Sequence, residues 1–470
     1  MEWFTAPDLW LSRILFQRGL AGLYCVAFLS AALQFRALIG ERGMLPVPEY
    51  VRRTRPRRTP SLFHWRYSDT LFAAVAWTGF GLALAMAAGA GDAVPLPVSM
   101  LLWLVLWGLY LSIVNVGQTW YSFGWESLLL ETGFLAVFLG NDDTGPPLLV
   151  LLLLRWLLFR VEFGAGLIKI RGDECWRKLT CLYHHHETQP MPGPLSWFFH
   201  HLPRPLHRVE AGANHVVQLF VPFLLFAPQP VATVAAGLMI ATQLWLVLSG
   251  NFAWLNWITI VLAVSVVDLS PLTGEHPQPD PPLWYVAVVA ALTAFVLVRS
   301  YRPVRNLLSR HQAMNRSYDP YHLVNTYGAF GTVGRIRDEI VVEGTDEAEP
   351  PHEGTVWREY GFKGKPGDPR RLPRQFAPYH LRLDWLMWFA ALSPGYARDW
   401  FGPFVERLLD GDRDTLRLLA HNPFPDAPPR YVRARLYRYR FTTWRELRET
   451  GAWWDRRLLR EYLPPTRLRS

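Results

Sequence analysis

The sequence predicts a polytopic α-helical membrane protein of about eight or nine transmembrane helices, followed by an α+β domain of antiparallel strands and amphipathic helices. Three observations carry this. Apolar runs able to cross about 30 Å of hydrocarbon at about 1.5 Å per residue recur between residues 19 and 299. No comparable run follows Tyr301, and basic and acidic loops alternate between the runs. The boundary falls near Arg299, which gives a membrane part over residues 1–300 and a basic, membrane-proximal domain over residues 301–470.

The runs lie near residues 19–39, 69–90, 98–116, 123–140, 147–170, 209–227, 231–249, 251–268 and 283–299. In hydrocarbon each must be helical, because its backbone groups have no water to bond. The first follows an acidic start (Glu2, Asp8) and leads into Arg-rich sequence without a small-residue cleavage site, so it is expected to be its own insertion signal. Arg42, Arg52, Arg53, Arg55, Arg57, Arg58 and Arg66 crowd the next loop, and residues 171–208 and the chain after Arg299 are also basic. Asp92, Asp142, Asp143, Glu275 and Asp280 occupy the alternate loops. Nine spans fit this alternation and place the N-terminus outside and the C-terminal domain in the cytoplasm.

The formal charge of +9, carried almost wholly by arginine, has the same origin: positive charge beside membrane spans meets anionic lipid. The expected partner is the lipid bilayer and not nucleic acid, since no nucleic-acid module accompanies the charge. Three cysteines make no disulfide framework, and a bond between Cys175 and Cys181 requires an oxidising compartment.

Ionisable residues inside apolar runs are the strongest candidates for function. Glu126 and Glu131 lie in the fourth run, and Arg155, Arg160, Glu162 and Lys169 in the fifth. An unpaired charge at the bilayer centre costs about 3 kcal/mol or more, so each should face the bundle interior and find a partner. Arg155, Glu162 and Lys169 are seven apart and share one helical face. Acids on one helix and cations on the next predict an intramembrane charge network, which either locks two helices or lines a polar pocket.

The segment from Gly172 to His207 is rich in aromatics and histidine, with Trp176, His184, His185, His186, Gln189 and Trp197 prominent. Its Trp and Phe beside Arg and His suit an interfacial helix or re-entrant loop at headgroup depth. Three adjacent histidines diverge on any regular backbone and make a poor chelate, so no metal is expected there.

Beyond Tyr301, residues 322–343 and 354–364 read as antiparallel strands punctuated by Gly328, Gly331, Gly334, Gly344 and Gly354, with Asp346 to Glu353 as their hairpin loop. Tyr379 to Leu392 reads as a helix, Tyr396 to Ala420 as further helix, and residues 430–442 as a final strand. Trp385 and Trp388 are expected in the core or at the membrane, and Gly328 to Gly334 as turn punctuation. No GxxxxGK, GxSxG or HExxH is present, so no cofactor is expected and an ordinary nucleotide enzyme or hydrolase has no support. No repeated half marks a transporter.

Four strings together resemble the lipase maturation factor family: Trp125 to Leu139, Arg155 to Pro203, Asn325 to Thr345 and Trp357 to Leu392. They include Asn325, Arg335, Trp357, Arg374 and Trp385 of the C-terminal domain. The resemblance implies a multi-span membrane part, the domain just outlined, and a non-enzymatic role in folding or assembling an exported client such as a secreted lipase. The membrane would be the endoplasmic reticulum in a eukaryote and the plasma membrane in a bacterium. A shorter string, AGLIKIRGDECW around Lys169, is similar to a motif of the vitamin K-dependent γ-carboxylase and its horizontally transferred transmembrane relatives. That second resemblance implies an alternative, an enzyme using Lys169 as a base. An exported client and a cytoplasmic C-terminal domain are expectations in conflict.

Overall fold

The computed structural model describes residues 3–274, 276, 279–347 and 351–468; Glu2, Glu275 and residues 348–350 of the expected hairpin loop lie outside the described residues. Helices α1 (Trp10–Leu38), α2 (Asp69–Ala87), α3 (Leu96–Val116), α4 (Gly124–Ala136), α5 (Leu148–Arg171), α6 (Arg204–Leu219), α7 (Val231–Ser249), α8 (Leu255–Val264) and α9 (Leu283–Arg299) follow the nine apolar runs. Among the described residues six helical stretches are long and apolar enough to cross a membrane: Pro7–Leu38, Asp69–Ala87, Leu96–Val116, Arg204–Phe226, Val231–Ser249 and Leu283–Leu308. Helix α5 has the length, at 24 residues, but carries Arg155, Arg160, Glu162, Lys169 and Arg171.

Helices α4 and α8 are shorter than their runs implied. Thirteen and ten residues reach only about 20 Å and about 15 Å. Their starts are recessed and tied together, the Trp254 indole donating to the Trp125 carbonyl at 3.0 Å. The space beyond them holds protein, since His380 of the C-terminal domain packs on Trp125 and Trp254 at ring distances of 5.1 and 5.9 Å.

Helix α1 is the central element, with Tyr24 and Phe28 fully buried and both packed edge-on against Tyr110 of α3. The outer helices instead expose apolar side chains, among them Leu84, Leu101, Leu238 and Val298, the pattern of surfaces solvated by lipid. At one end of the bundle, Arg13 bonds Asp92 and Asp142, each at 2.6 Å, joining α1 to the loops after α2 and α4. At the other, Asn115 donates to the carbonyls of Pro60 (2.8 Å) and Pro320 (3.0 Å), tying α3 to the first basic loop and to the chain beyond α9.

The C-terminal domain is a four-stranded antiparallel sheet with helices. Strands β1 (Arg337–Thr345), β2 (Arg358–Glu359), β3 (Tyr431–Phe441) and β4 (Trp454–Thr466) take the order β2-β1-β3-β4. Pairing of β1 with β3 runs from Arg337↔Tyr439 to Thr345↔Tyr431. Helices α10 (Arg382–Leu392), α11 (Phe401–Leu409) and α12 (Arg413–Leu418) accompany it. Against expectation, the first strand begins at Arg337, because residues 322–336 leave the sheet to pack irregularly on the membrane helices. The second shrinks to two residues, the helix expected over 396–420 splits where Gly411 turns the chain at φ +65°, and β4 is an addition.

Candidate functional site

The charges on α4 and α5 form three separate clusters, and the C-terminal domain supplies partners to two of them. Glu126 of α4 pairs with Arg382 at 2.7 Å, at the start of α10, and also accepts from the Tyr110 hydroxyl. The Arg382 guanidinium lies 3.5 Å from the Tyr121 ring centre and donates to the Trp120 carbonyl at 2.7 Å. Beside it, burial holds the His380 ring well below the ordinary histidine range, with the Arg382 charge adding to the effect.

In the second cluster Glu131 of α4 pairs with Arg160 of α5, both fully buried. The other Glu131 carboxylate oxygen accepts from the Asn325 backbone and side-chain amides, both at 2.9 Å, and from the Tyr327 hydroxyl at 2.7 Å. Arg160 in turn donates to the Asn325 carbonyl at 2.6 Å. Asn325 thus closes a ring across two helices and a loop of the following domain.

The third cluster lies on the α5 face that carries Arg155, Glu162 and Lys169, turned toward α6 and α7. Arg155 donates to the Leu225 carbonyl at 3.0 Å. Glu162 accepts from Gln218 (3.1 Å) and Gln243 (2.7 Å), and Asn256 donates to Gln243 at 2.7 Å. Lys169 donates to Asn214 (2.8 Å) and Gln218 (2.9 Å), and its ammonium sits 5.0 Å from the Trp176 ring centre. A carboxylate held by two amides, next to a lysine held by two amide oxygens, satisfies buried charges without a direct ion pair. Lys169 also lines a cavity of about 480 Å³ between α6, α7 and the segment after α5, whose mouth includes the exposed Leu206 and Val209 of α6.

That segment folds into short helices, Glu174–Arg177, Leu182–Thr188 and Ser196–His200. Its two tryptophans pack inside the protein: Trp176 and Trp197 are buried, and Trp197 donates to the Thr442 carbonyl at 2.8 Å. Trp197 belongs to a hydrophobic cluster with Phe441 of β3 and Trp454 of β4. Gln189 donates to Ser196 Oγ and the Ser249 carbonyl, at 2.9 and 2.8 Å. His184 borders Arg335, while His185 and His186 turn inward. Cys175 and Cys181 are joined in a disulfide with Cα atoms 4.8 Å apart.

The C-terminal domain grips the same segment. Arg337 of β1 donates to the carbonyls of Glu187, Gln189 and Pro190 and pairs with the buried Glu339, which Lys365 also meets at 3.0 Å. Arg335 pairs with Asp173 at 2.8 Å, and the Arg374 carbonyl accepts from Asn251 at 2.9 Å. Trp385 is buried against Trp125, with ring centres 4.9 Å apart. Trp357 stands apart, with the Arg433 guanidinium stacked 3.9 Å from its ring centre.

Two family models match the chain in order: the lipase maturation factor transmembrane domain over residues 11–273 and the lipase maturation factor C-terminal domain over residues 323–464. The chain belongs to the lipase maturation factor family. It is 41% identical to lipase maturation factor 1 of Mus musculus, over 98% of this chain and 88% of the relative. Identity to lipase maturation factor 1 of Homo sapiens is 40%, over 98% of this chain and 88% of that one. Lipase maturation factor 2 of Xenopus tropicalis is 28% identical over 97% of this chain and 82% of its own. No solved structure matches the chain. The chain joins both matched regions, and the geometry interlocks them. Arg382 and Arg337, two of the residues that make the join, are basic positions in a basic domain, and only their burial among carbonyls and carboxylates singles them out.

Proposed function

We propose that this chain works as a membrane-embedded folding or assembly factor for an exported client of the lipase class, and not as an enzyme. The observation that carries this is full-length similarity: 98% of the chain aligns with lipase maturation factor 1 of Mus musculus, without the loss of either region. The interlock supports it, because a client bound by the C-terminal domain would be held against the membrane face by a rigid platform. In this reading residues 1–300 form the membrane unit and residues 301–470 the client-facing domain. The membrane is the endoplasmic reticulum in a eukaryote and the plasma membrane in a bacterium.

Nine crossings fit the chain's path: α4 and α8 start recessed beside His380, yet α4 leads to Asp142 and α8 to Val267, both bonded to the start of α1. The alternative, in which Lys169 acts as a catalytic base, is not favoured, since the named relatives are maturation factors throughout. The test is complementation of cells lacking their own factor, reading secreted lipase activity. Deletion of residues 322–460 should abolish secretion and Lys169→Ala should leave most of it. Secretion that survives the deletion overturns the proposal.

A further inference from the structure

His186, His207 and Glu210 converge at the polar end of the cavity that Lys169 lines. Their ligand-capable atoms all lie within 4.8 Å of one another. His207 and Glu210 are one turn apart on α6, so they project from one face, and His186 arrives from the helix Leu182–Thr188. His186 is 1% exposed and His207 is 2% exposed.

His207 Nε2 is engaged by the His200 carbonyl at 3.3 Å, which makes Nε2 the protonated nitrogen and leaves the Nδ1 lone pair free; Nδ1 is buried without a partner. One Glu210 oxygen accepts from the Trp245 indole at 2.8 Å, and the other, Oε2, is buried without a partner. Both His186 ring nitrogens are buried without a partner as well. The His186 ring, His207 Nδ1 and Glu210 Oε2 are thus left without a hydrogen-bond partner in the protein interior, which is costly. His186 Nε2 and Glu210 Oε2 are 4.0 Å apart, beyond hydrogen-bond reach but within the span of two atoms that each ligate one ion at about 2.0–2.2 Å.

We propose that His186, His207 and Glu210 form a zinc site. Two imidazoles and a carboxylate make a nitrogen and oxygen donor set suited to Zn²⁺, and three protein ligands leave a fourth position for water or a ligand group. His186 and Glu210 line the cavity, so that position opens into it, between the apolar walls of Leu206 and Leu246. The His200 carbonyl and the Trp245 indole are the outer partners that orient His207 and Glu210. Only one member of the histidine triplet takes part, so the divergence of adjacent side chains does not count against the site.

The full-length protein, purified in detergent without chelator, should carry one zinc per chain by elemental analysis. After chelator treatment, Co²⁺ should restore one equivalent with the visible ligand-field bands of a nitrogen and oxygen set. His186→Ala and Glu210→Gln should lose the metal. Trp245→Phe removes no ligand and should weaken Co²⁺ binding about tenfold. Folding of each variant is checked by gel filtration and by retention of the Cys175–Cys181 disulfide. Wild-type protein that takes up neither ion stoichiometrically overturns the proposal whatever the variants do. So does Co²⁺ bound with thiolate charge-transfer bands, or metal kept by a folded His186→Ala.

Discussion

The residues that matter most here are buried charges whose partners come from far along the chain. Glu131 is satisfied by Arg160, Asn325 and Tyr327, so the pair is embedded in a network and not isolated. Removing the cation alone strands a carboxylate in a low-dielectric interior, which costs about 3–5 kcal/mol. Arg160→Met should therefore lower the thermal midpoint of the detergent-solubilised protein severely. Glu131→Gln, which keeps an acceptor for Asn325 and Tyr327, should be milder; the reverse order would remove the network from the account. His322 gives a pH signature. Its ring Nδ1 lies within hydrogen-bond distance of Ser127 (3.0 Å) and Ser317 (2.7 Å), and burial pushes its pKa down to about 4, with Asp319 pulling weakly the other way. A histidine held below its unfolded value of about 6.5 contributes stability that is fully present above that pH and is lost as pH falls toward the folded value. Between pH 7.5 and pH 5.5 that loss should be about 1 kcal/mol, and His322→Gln should remove this share of the acid sensitivity in thermal scans.

At the scale of elements, close helix packing is set by glycine. A Cβ on Gly133 of α4 would collide with the Tyr24 hydroxyl of α1, which itself donates to the Leu129 carbonyl at 3.2 Å. Gly133→Ala should push α4 off α1 and reduce the thermal midpoint, and adding Tyr24→Phe should recover part of the loss. A neutral Gly133→Ala would mean that the two helices do not touch here. The long apolar helices were legible because a lipid-solvated helix is apolar all round, and β3 was legible because its polar and apolar residues alternate. Strand β4 was not: RRLLREYLPP, with paired prolines near its end, is the composition of an edge strand that pairs on one side only. The shortened α4 and α8 were illegible for another reason. Hydropathy reports how apolar a stretch is, not whether lipid or the His380 loop lies beyond its end. The same limit hid the partners of Glu126, because the sequence places Arg382 some 250 positions away, with nothing to pair them until the chain is folded.

At the scale of the whole molecule, side of the membrane and function meet in one structural fact. The Cys175–Cys181 disulfide lies in the segment that β1 grips through Arg337, so this segment and the C-terminal domain share a side. A structural disulfide persists in an oxidising compartment, which points to the lumen or periplasm. The charge rule pointed to the cytoplasm, but its weight rests on short loops, and a large domain translocates largely regardless of charge. Much of the domain's arginine is internally neutralised, with Arg433 on Glu343, Arg438 on Asp338 and Arg456 on Glu359. The seven arginines between Arg42 and Arg66 do oppose this orientation. That loop shares the domain's side, since Asn115 bonds both Pro60 and Pro320 and Arg299 at the end of α9 pairs with Asp319 at 2.6 Å, so its charge and the disulfide point opposite ways and the location of the domain decides between them. We therefore expect a reporter fused after Ser470 to be active on the oxidising side, and Cys175 and Cys181 to resist alkylation until a reductant is added. A reporter active in the cytoplasm, with both thiols free to alkylating reagent, would reverse the orientation and separate the C-terminal domain from any exported client.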